Sequence, residues 1–442
     1  MTRRAQVLAN TGYRRLLAGQ IISNLGDVVA YMGLSFLILY RLGGTAVDIG
    51  KLTIAATVPT LVLGPVAGTL VDRWSRRWVM VFSDAGRGVI YLLMPLAPSL
   101  NWIYAGVFLS NVLSRFFYPA KSAMVPNIVG KEQIVAATGL TQAAAGMTAV
   151  LGPGIGAAVA AFLGPSTTLV LNGVSFLLSG VFIMGIRGNE KERSSEPDSL
   201  AAPRDWKGKV RDVLSELASG FRYILDERVI RFYAGVFAGF GLLVGGLNVI
   251  VIPFLKDVMG FGIPLVGLTQ SAQAVGGLLG AVLITLRPVR RPRRTILGAL
   301  VTFGTLIVLV MGVNRYLWAV FPAAALIGAA VASVQVLLNA ELMRLVPDRL
   351  RGRVFGSFSS LTDGLGLASM GIIPLLAVRF GIAEVGMATG GLLALLGLSA
   401  AFWAKGAEEP GQGVEGVSKV GRTLVARGAG FEPSTCPVEG EA

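Results

Sequence analysis

Residues 68–77 read GTLVDRWSRR, a charged turn between two long apolar runs. Gly68 lets two helices approach closely, and Asp72 can face the positive end of a helix dipole. Arg73, Arg76 and Arg77 suit the anionic cytoplasmic surface of a membrane, which attracts basic side chains. The segment therefore predicts a cytoplasmic loop that joins two membrane-spanning helices.

The composition on either side of this loop indicates a polytopic membrane protein. Of 442 residues, 53% are hydrophobic and 14% are charged, against about 25% charged in soluble domains. A helix needs about 20 mostly apolar residues to cross a bilayer. The apolar runs are 16–40, 49–71, 78–97, 102–123, 134–161, 166–186, 229–253, 265–286, 295–313, 316–340, 354–378 and 385–404. The predicted fold class is all-α, with twelve transmembrane helices in two pseudo-symmetric six-helix bundles.

The residue counts exclude several kinds of chemistry. The chain has no His and a single Cys, Cys436, which excludes Ser-His-Asp and Cys-His catalysis, the common zinc sites and an intramolecular disulfide. The nucleotide-binding pattern G-x-x-x-x-G-K-[ST] is absent, which argues against ATP-driven pumping. The net charge of +14 is typical of cytoplasmic loops, so no nucleic-acid partner is expected. We predict no enzyme activity, no metal and no cofactor.

One long polar loop divides the apolar runs into six plus six. The predicted domains are an N-terminal bundle at 1–186, a cytoplasmic linker with an amphipathic helix at 187–228, a C-terminal bundle at 229–404 and a disordered cytoplasmic tail at 405–442. Pro126 and Pro347 follow the fourth and tenth runs. Pro153 and Pro374, in the fifth and eleventh runs, lie the same distance apart. Matched breaks of this kind are typical of the repeated halves of alternating-access carriers.

The basic residues predict the orientation of the chain. Lys and Arg concentrate in the loops that share a side with the N-terminus, and the opposite loops hold only Arg41, Lys51, Lys256, Arg315 and Arg379. Since cytoplasmic loops carry the excess of basic residues, both termini are expected on the cytoplasmic side of the cell membrane. The linker helix is expected to lie in the membrane interface as a plain connection without a regulatory role.

The loop at 68–77 resembles the G-x-x-x-D-R-x-G-R-R loop between the second and third spans of the major facilitator superfamily, with Ser75 in place of the usual Gly. The resemblance implies that this loop helps to hold one conformation closed. Gly152, Pro153 and Gly156 resemble the glycine/proline motif of the drug antiporters of the superfamily, although Thr148 replaces its upstream glycine. A proline bend beside small residues can act as a hinge. The alternative is that Pro153 kinks the helix without any bearing on the direction of transport.

Polar residues in the first span predict a coupling site. Ser23, Asp27, Tyr31 and Ser35 recur every four residues and form one stripe, which is expected to face a wet cavity. A carboxyl group at membrane depth can bind a proton near neutral pH, and no His competes for that role. Asp27 is therefore the predicted proton carrier, with Asp363 as the reserve. A permanently neutral Asp27 that serves only packing is the alternative.

Arg115 in the fourth span fits the span-four arginine of the same superfamily, but Tyr118 and Pro119 replace the Gln-Gly that usually follows. Arg115 is predicted with equal weight to form a structural ion pair or to take part in coupling. Asn111 lies on the same span and is included in the predicted cavity. Weaker polar candidates are Gln270, Gln273, Gln335 and Asn339. Asp84 and Arg87 lie one helical turn apart and are expected to be structural, paired with each other or with the loop at 68–77.

The resemblance is closest to the macrolide-efflux and enterobactin-exporter-like branch and covers about residues 10–405. It implies a secondary active transporter that exports amphipathic small molecules, such as drugs or macrolides, in exchange for protons. The expected partners are the substrate, protons and the lipid bilayer, and the expected oligomeric state is a monomer. The alternatives are a siderophore or metabolite exporter of the same fold, and a non-transporting receptor or scaffold.

Overall fold

A computed structural model describes residues 3–71, 74–186, 206–286, 289, 291–312, 317–347 and 350–405. All regular structure in these ranges is helical. The helices are α1 (Arg3–Ala9), α2 (Thr11–Phe36), α3 (Ala46–Val71), α4 (Arg76–Leu93), α5 (Leu100–Val129), α6 (Ile134–Phe162), α7 (Pro165–Met184), α8 (Trp206–Asp226), α9 (Arg228–Pro253), α10 (Ile263–Leu286), α11 (Pro292–Gly312), α12 (Leu317–Leu345), α13 (Arg351–Phe380) and α14 (Ile382–Lys405).

Eleven helices of the described residues are long and apolar enough to cross a membrane. They correspond to every predicted span except the fourth, 102–123. That span is the 30-residue helix α5, which is long enough to cross but carries Asn111 and Arg115 among its apolar residues. It packs between α3 and α4. The all-α fold class is confirmed.

Several helix boundaries differ from the predicted ones. Helix α5 continues to Val129, beyond the predicted end at 123, so Lys121 lies well within the helix. Its ammonium group donates a hydrogen bond of 2.9 Å to Gln20 Oε1 of α2, which explains how the charge is accommodated inside the bundle. Helix α2 ends in a π-helical turn, Leu37–Arg41, and this turn lengthens the first span.

Glycines set the distance between α2 and α7. Gly19, Gly26 and Gly33 recur every seven residues on α2, and the residues that face them on α7 are Ser179, Ser175 with Asn172, and Thr168. A methyl group at Gly33 would overlap Thr168, and one at Gly26 would overlap Ser175 and Asn172. Small residues at this spacing let two membrane helices pack closely, so α2 and α7 form a polar seam.

The last six spans also contain helices that pack closely through glycines. Gly245 of α9 is so close to α13 that a methyl group there would lie 2.8 Å from Gly366 Cα and Ser369 Oγ. Gly246 likewise faces Ile373. Because α9 and α13 pack through glycines, one side of each is left to face the interior of the molecule.

Helices from the first six also touch helices from the last six. A methyl group at Gly50 of α3 would lie 2.8 Å from the Met370 carbonyl oxygen of α13, and Gly267 of α10 faces Ala157 of α6. The Tyr40 hydroxyl donates a hydrogen bond of 2.6 Å to the Phe261 carbonyl oxygen. These contacts lie toward the end of the molecule that holds residues 41–45, which we call the 41–45 end.

The contacts divide the chain into two units, with the boundary between residues 398 and 399. The structure describes residues 399–405 of the second unit, where they form the last turns of α14. The remaining tail, 406–442, and the Ser/Glu-rich part of the linker, 187–205, lie outside the described residues. The division into bundles at 1–186 and 229–404 remains a prediction.

Helix α8 lies within residues 187–228, and its role as a linker in the membrane interface remains a prediction. Helix α8 packs against α9 and α13, and the Ser357 hydroxyl of α13 donates a hydrogen bond of 3.0 Å to the Leu217 carbonyl oxygen of α8. Gly220 makes this contact possible, because a methyl group there would overlap Ser357 and the Arg353 backbone.

Candidate functional site

Asp27 lies at the middle of α2 and is partly exposed. One of its carboxylate oxygens accepts a hydrogen bond of 3.3 Å from the Asn172 amide nitrogen of α7. Asp27 also interacts electrostatically with Arg87 and Asp84 of α4. The residue is partly exposed although it lies far from both helix ends.

The predicted pairing of Asp84 with Arg87 is confirmed. The two side chains form a buried ion pair, in which the Arg87 guanidinium donates to Asp84 Oδ1. The guanidinium carbon also lies 4.1 Å from the Phe176 ring centroid and 4.8 Å from that of Phe117. Since cations are attracted to aromatic faces, these rings help to hold Arg87 at membrane depth.

The other residues of the predicted polar stripe differ in how deeply they are buried. Ser23 and Ser35 are buried, and their hydroxyls donate to the Gln20 and Tyr31 carbonyl oxygens of the same helix. Tyr31 is partly exposed, and its hydroxyl interacts with Thr53 of α3. Only the central part of the stripe therefore meets open space.

Arg115 and Asn111 contribute less to this cluster than expected. The Asn111 amide donates a hydrogen bond of 2.9 Å to the Val107 carbonyl oxygen within α5. The Arg115 guanidinium lies 3.5 Å from the Ser114 hydroxyl and 5.4 Å from the centroid of the Tyr118 ring. The contacts of Arg115 in this structure are with its own helix.

Asp363 lines a separate cavity of about 390 Å³ between α9, α12 and α13. Its side chain is exposed to this space. Thr57 of α3 contributes to the wall, so both halves of the chain border the cavity. The remaining lining includes four aromatic rings and two amides: Phe237, Phe240, Phe355, Phe358, Gln335 and Asn339.

A second cavity of about 140 Å³ adjoins the first and shares Val244 and Gln335 with it. Its polar lining consists of Asn248, Thr269, Gln270, Gln273 and Gln335 among aliphatic and aromatic side chains. The structure therefore brings together the glutamines that the sequence offered as weak candidates. A mostly apolar wall with a few amides is typical of sites that bind amphipathic small molecules.

The loop motif is described in part. Asp72 and Arg73 lie outside the described residues, and Gly68 belongs to α3. Arg76 donates a hydrogen bond of 2.7 Å to the Ala123 carbonyl oxygen of α5, and Arg77 donates to that of Met184, the last residue of α7. The two arginines thus connect the start of α4 to two neighbouring helices of the first bundle.

The glycine/proline motif of α6 lies between two helices. A methyl group at Gly156 would lie 3.0 Å from the Val29 backbone of α2, and Gly152 faces Val28. The opposite side of the same segment faces α10, where the Pro153 carbonyl oxygen and Ala157 meet Gly267. Pro153 is therefore placed where α6 touches a helix from the other half of the chain.

Sequence reasoning missed Asn172 and Tyr91. Both are buried, and the Tyr91 hydroxyl lies near Asn172 and Ser110. The signal was available, because Thr168, Asn172, Ser175 and Ser179 alternate steps of four and three residues along the sixth span. This spacing places them on one face of a helix.

The Major Facilitator Superfamily sequence profile matches residues 16–370. Among curated relatives, the "Multidrug efflux pump Tap" of Mycolicibacterium fortuitum is 26% identical over 404 residues, covering 88% of this chain and 94% of that protein. The "Uncharacterized MFS-type transporter YkuC" of Bacillus subtilis is 24% identical over 383 residues, covering 85% and 87%.

Solved structures show the same fold. A bacterial homologue of the iron transporter ferroportin superposes with a TM-score of 0.67 at 16% identity, covering 88% of this chain and 98% of that one. A POT family transporter superposes with a TM-score of 0.69 at 13% identity, covering 90% and 97%. The chain therefore belongs to the Major Facilitator Superfamily and is a multi-pass membrane transporter of small molecules.

Proposed function

We propose that this transporter is a proton-coupled antiporter that exports amphipathic small molecules. The observation that carries the proposal is the position of Asp27, which is partly exposed at the centre of a membrane helix. Its hydrogen bond comes from a neutral amide, whereas the nearby Asp84 is paired with Arg87. A partly exposed acidic residue at membrane depth, without a basic partner bonded to it, suits a proton carrier.

The cavities support an amphipathic substrate. Their walls are largely apolar, and their amide groups can donate and accept hydrogen bonds. The relative named as a multidrug efflux pump favours drugs among the possible substrates. The proposal includes Asp363 as the second acidic group that could couple transport, since its side chain faces the larger cavity.

The proposed orientation places both termini in the cytoplasm and the 41–45 end outside. With this orientation, the contacts of Gly50, Gly154 and Gly267 close the outer side. Gly139 and Gly146, nearer the opposite end of α6, have open space where a side chain would be. The larger cavity would then be reached from the cytoplasm, as an exporter requires for loading its substrate. The transporting unit is proposed to be the monomer.

An accumulation assay tests the function. Cells with and without the protein are compared across a panel of dyes, macrolides, other antibiotics and siderophores, and we expect lower accumulation of amphipathic compounds in the producing cells. Loss of this difference after addition of a protonophore would support proton coupling. Lower accumulation of siderophores alone would move the assignment to a siderophore exporter.

Proton movement distinguishes a transporter from a receptor. Vesicles that contain the protein are given the best compound of the panel, and proton release is followed with a pH-sensitive dye. An antiporter must release protons when the compound is added, whereas a receptor or scaffold binds the compound without moving protons.

A further inference from the structure

We infer that Asn172 is a positioning residue that orients the Asp27 carboxylate and weakens its hold on a proton. The inference rests on the proposed coupling role of Asp27. Asn172 is fully buried in α7, and its amide nitrogen donates to Asp27 Oδ1. An N–H donor stabilises an ionised carboxylate more than a neutral carboxyl group, so this contact favours proton release.

A second side chain contacts the Asn172 amide. The Ser175 hydroxyl lies 3.0 Å from Asn172 Oδ1 and 2.8 Å from the Asn172 carbonyl oxygen. Its single proton can be shared between these two acceptors. With the amide oxygen toward Ser175, the NH₂ group is directed at Asp27, where it can donate to the ionised carboxylate. The reverse orientation would place the amide oxygen against that carboxylate.

The glycine next to Asp27 makes room for this arrangement. A methyl group at Gly26 would overlap both Asn172 and Ser175. At the other two contacts of the same seam, Gly19 and Gly33 face the hydroxyl residues Ser179 and Thr168. The Asn172 amide therefore lies in the seam at the same height as Asp27, the acidic residue of α2.

The other helices around Asp27 supply charge but no further hydrogen bond to it among the described residues. Helix α4 brings Arg87, Asp84 and Tyr91 near it. Helix α5 carries Arg115 and Lys121, and Lys121 bonds to Gln20. Helix α6 meets α2 through Gly152 and Gly156, and the next ionisable group on α2 itself is Tyr31. Because Arg87 is already paired with Asp84, Asn172 is the group that contacts the carboxylate directly.

Infrared spectroscopy of the full-length protein in lipid vesicles tests the inference without a substrate. The carbonyl stretching band of a protonated Asp27 is identified by its loss in Asp27→Asn, and its intensity is followed against pH. We expect Asn172→Leu, which keeps the branched shape of the side chain without its hydrogen-bonding groups, to raise the midpoint of this titration by about one pH unit, corresponding to roughly tenfold tighter proton binding.

Ser175→Ala is the milder variant if Asn172→Leu does not fold, and it should raise the midpoint by a smaller amount. The matched control is Thr168→Val, which removes another buried hydroxyl of the same seam. That hydroxyl donates to the Pro165 carbonyl oxygen, so the midpoint should stay in place.

The outcomes separate the inference from the proposed function. The Asp27 band can titrate with the same midpoint in Asn172→Leu, Ser175→Ala and the unmodified protein. That result overturns the inference about Asn172 but leaves the proposed function standing. If no titrating band is lost in Asp27→Asn, the coupling role of Asp27 fails and the inference fails with it. An equal shift in Thr168→Val would show that packing of the seam, and not the amide, controls the proton.

Discussion

Charge inside the first bundle is stabilised by contacts between particular residues. Arg87 pairs with Asp84 and stacks on two aromatic rings, while Lys121 bonds to Gln20 of another helix. The spacing of Asp84 and Arg87 was enough to predict their pairing, because residues three apart on a helix are neighbours. The Lys121 contact joins residues far apart in sequence, which no local pattern could show.

Breaking the buried ion pair should cost stability. Asp84→Asn leaves the Arg87 charge buried without its partner, and we expect a loss of about 3–5 kcal/mol in the free energy of unfolding. The double variant Asp84→Leu/Arg87→Met removes both charges and should lose much less. Denaturant titrations in detergent micelles measure both. Equal losses in the single and double variants would contradict this account of the pair.

At the scale of helices, contacts between α6 and its neighbours place Pro153 where the two halves of the chain meet. Hydropathy predicted these helices to within a few residues, because apolar length is read directly from sequence. It could not predict which helices touch, since every span is apolar. Gly50 and Gly267 gave no periodic signal, yet each makes a contact between the halves.

Pro153→Ala restores the missing backbone hydrogen bond of α6 and should straighten the helix. We expect a several-fold lower transport rate with substrate affinity unchanged, because the cavity residues lie on other helices. Transport rates in vesicles and equilibrium binding of the same compound separate the two effects. An unchanged transport rate would leave Pro153 as a packing residue only.

Gly267→Ala should loosen the contact between α6 and α10. A methyl group at Gly267 of α10 would overlap Ala157 of α6. A methyl group at Gly139, at the other end of α6, would meet open space. The readout is disulfide formation between cysteines at positions 40 and 261, introduced by Tyr40→Cys and Phe261→Cys in a Cys436→Ser background. We expect several-fold slower crosslinking in Gly267→Ala and the original rate in Gly139→Ala. Equal rates would contradict a role of this contact in closing the 41–45 end.

At the scale of the whole molecule, helices from both halves contact each other near the 41–45 end and border one cavity. The sequence predicted the superfamily and its helical fold through one loop motif and the apolar runs. It did not predict the two adjoining cavities, because Thr57, Asn248 and Gln335 come from three helices that only tertiary packing brings together. The spacing of polar residues along the sixth span indicated a polar face that includes Asn172, but only tertiary packing shows its contact with Asp27 of another helix.

The central claim is that a proton gradient drives export through Asp27. The most direct measurement imposes a pH gradient on proteoliposomes and compares the unmodified protein with Asp27→Asn, using the best compound of the accumulation panel. We expect the unmodified protein to transport that compound uphill, and Asp27→Asn to lose uphill transport while still exchanging bound compound downhill. Full gradient-driven transport by Asp27→Asn would contradict the account and transfer the coupling role to Asp363.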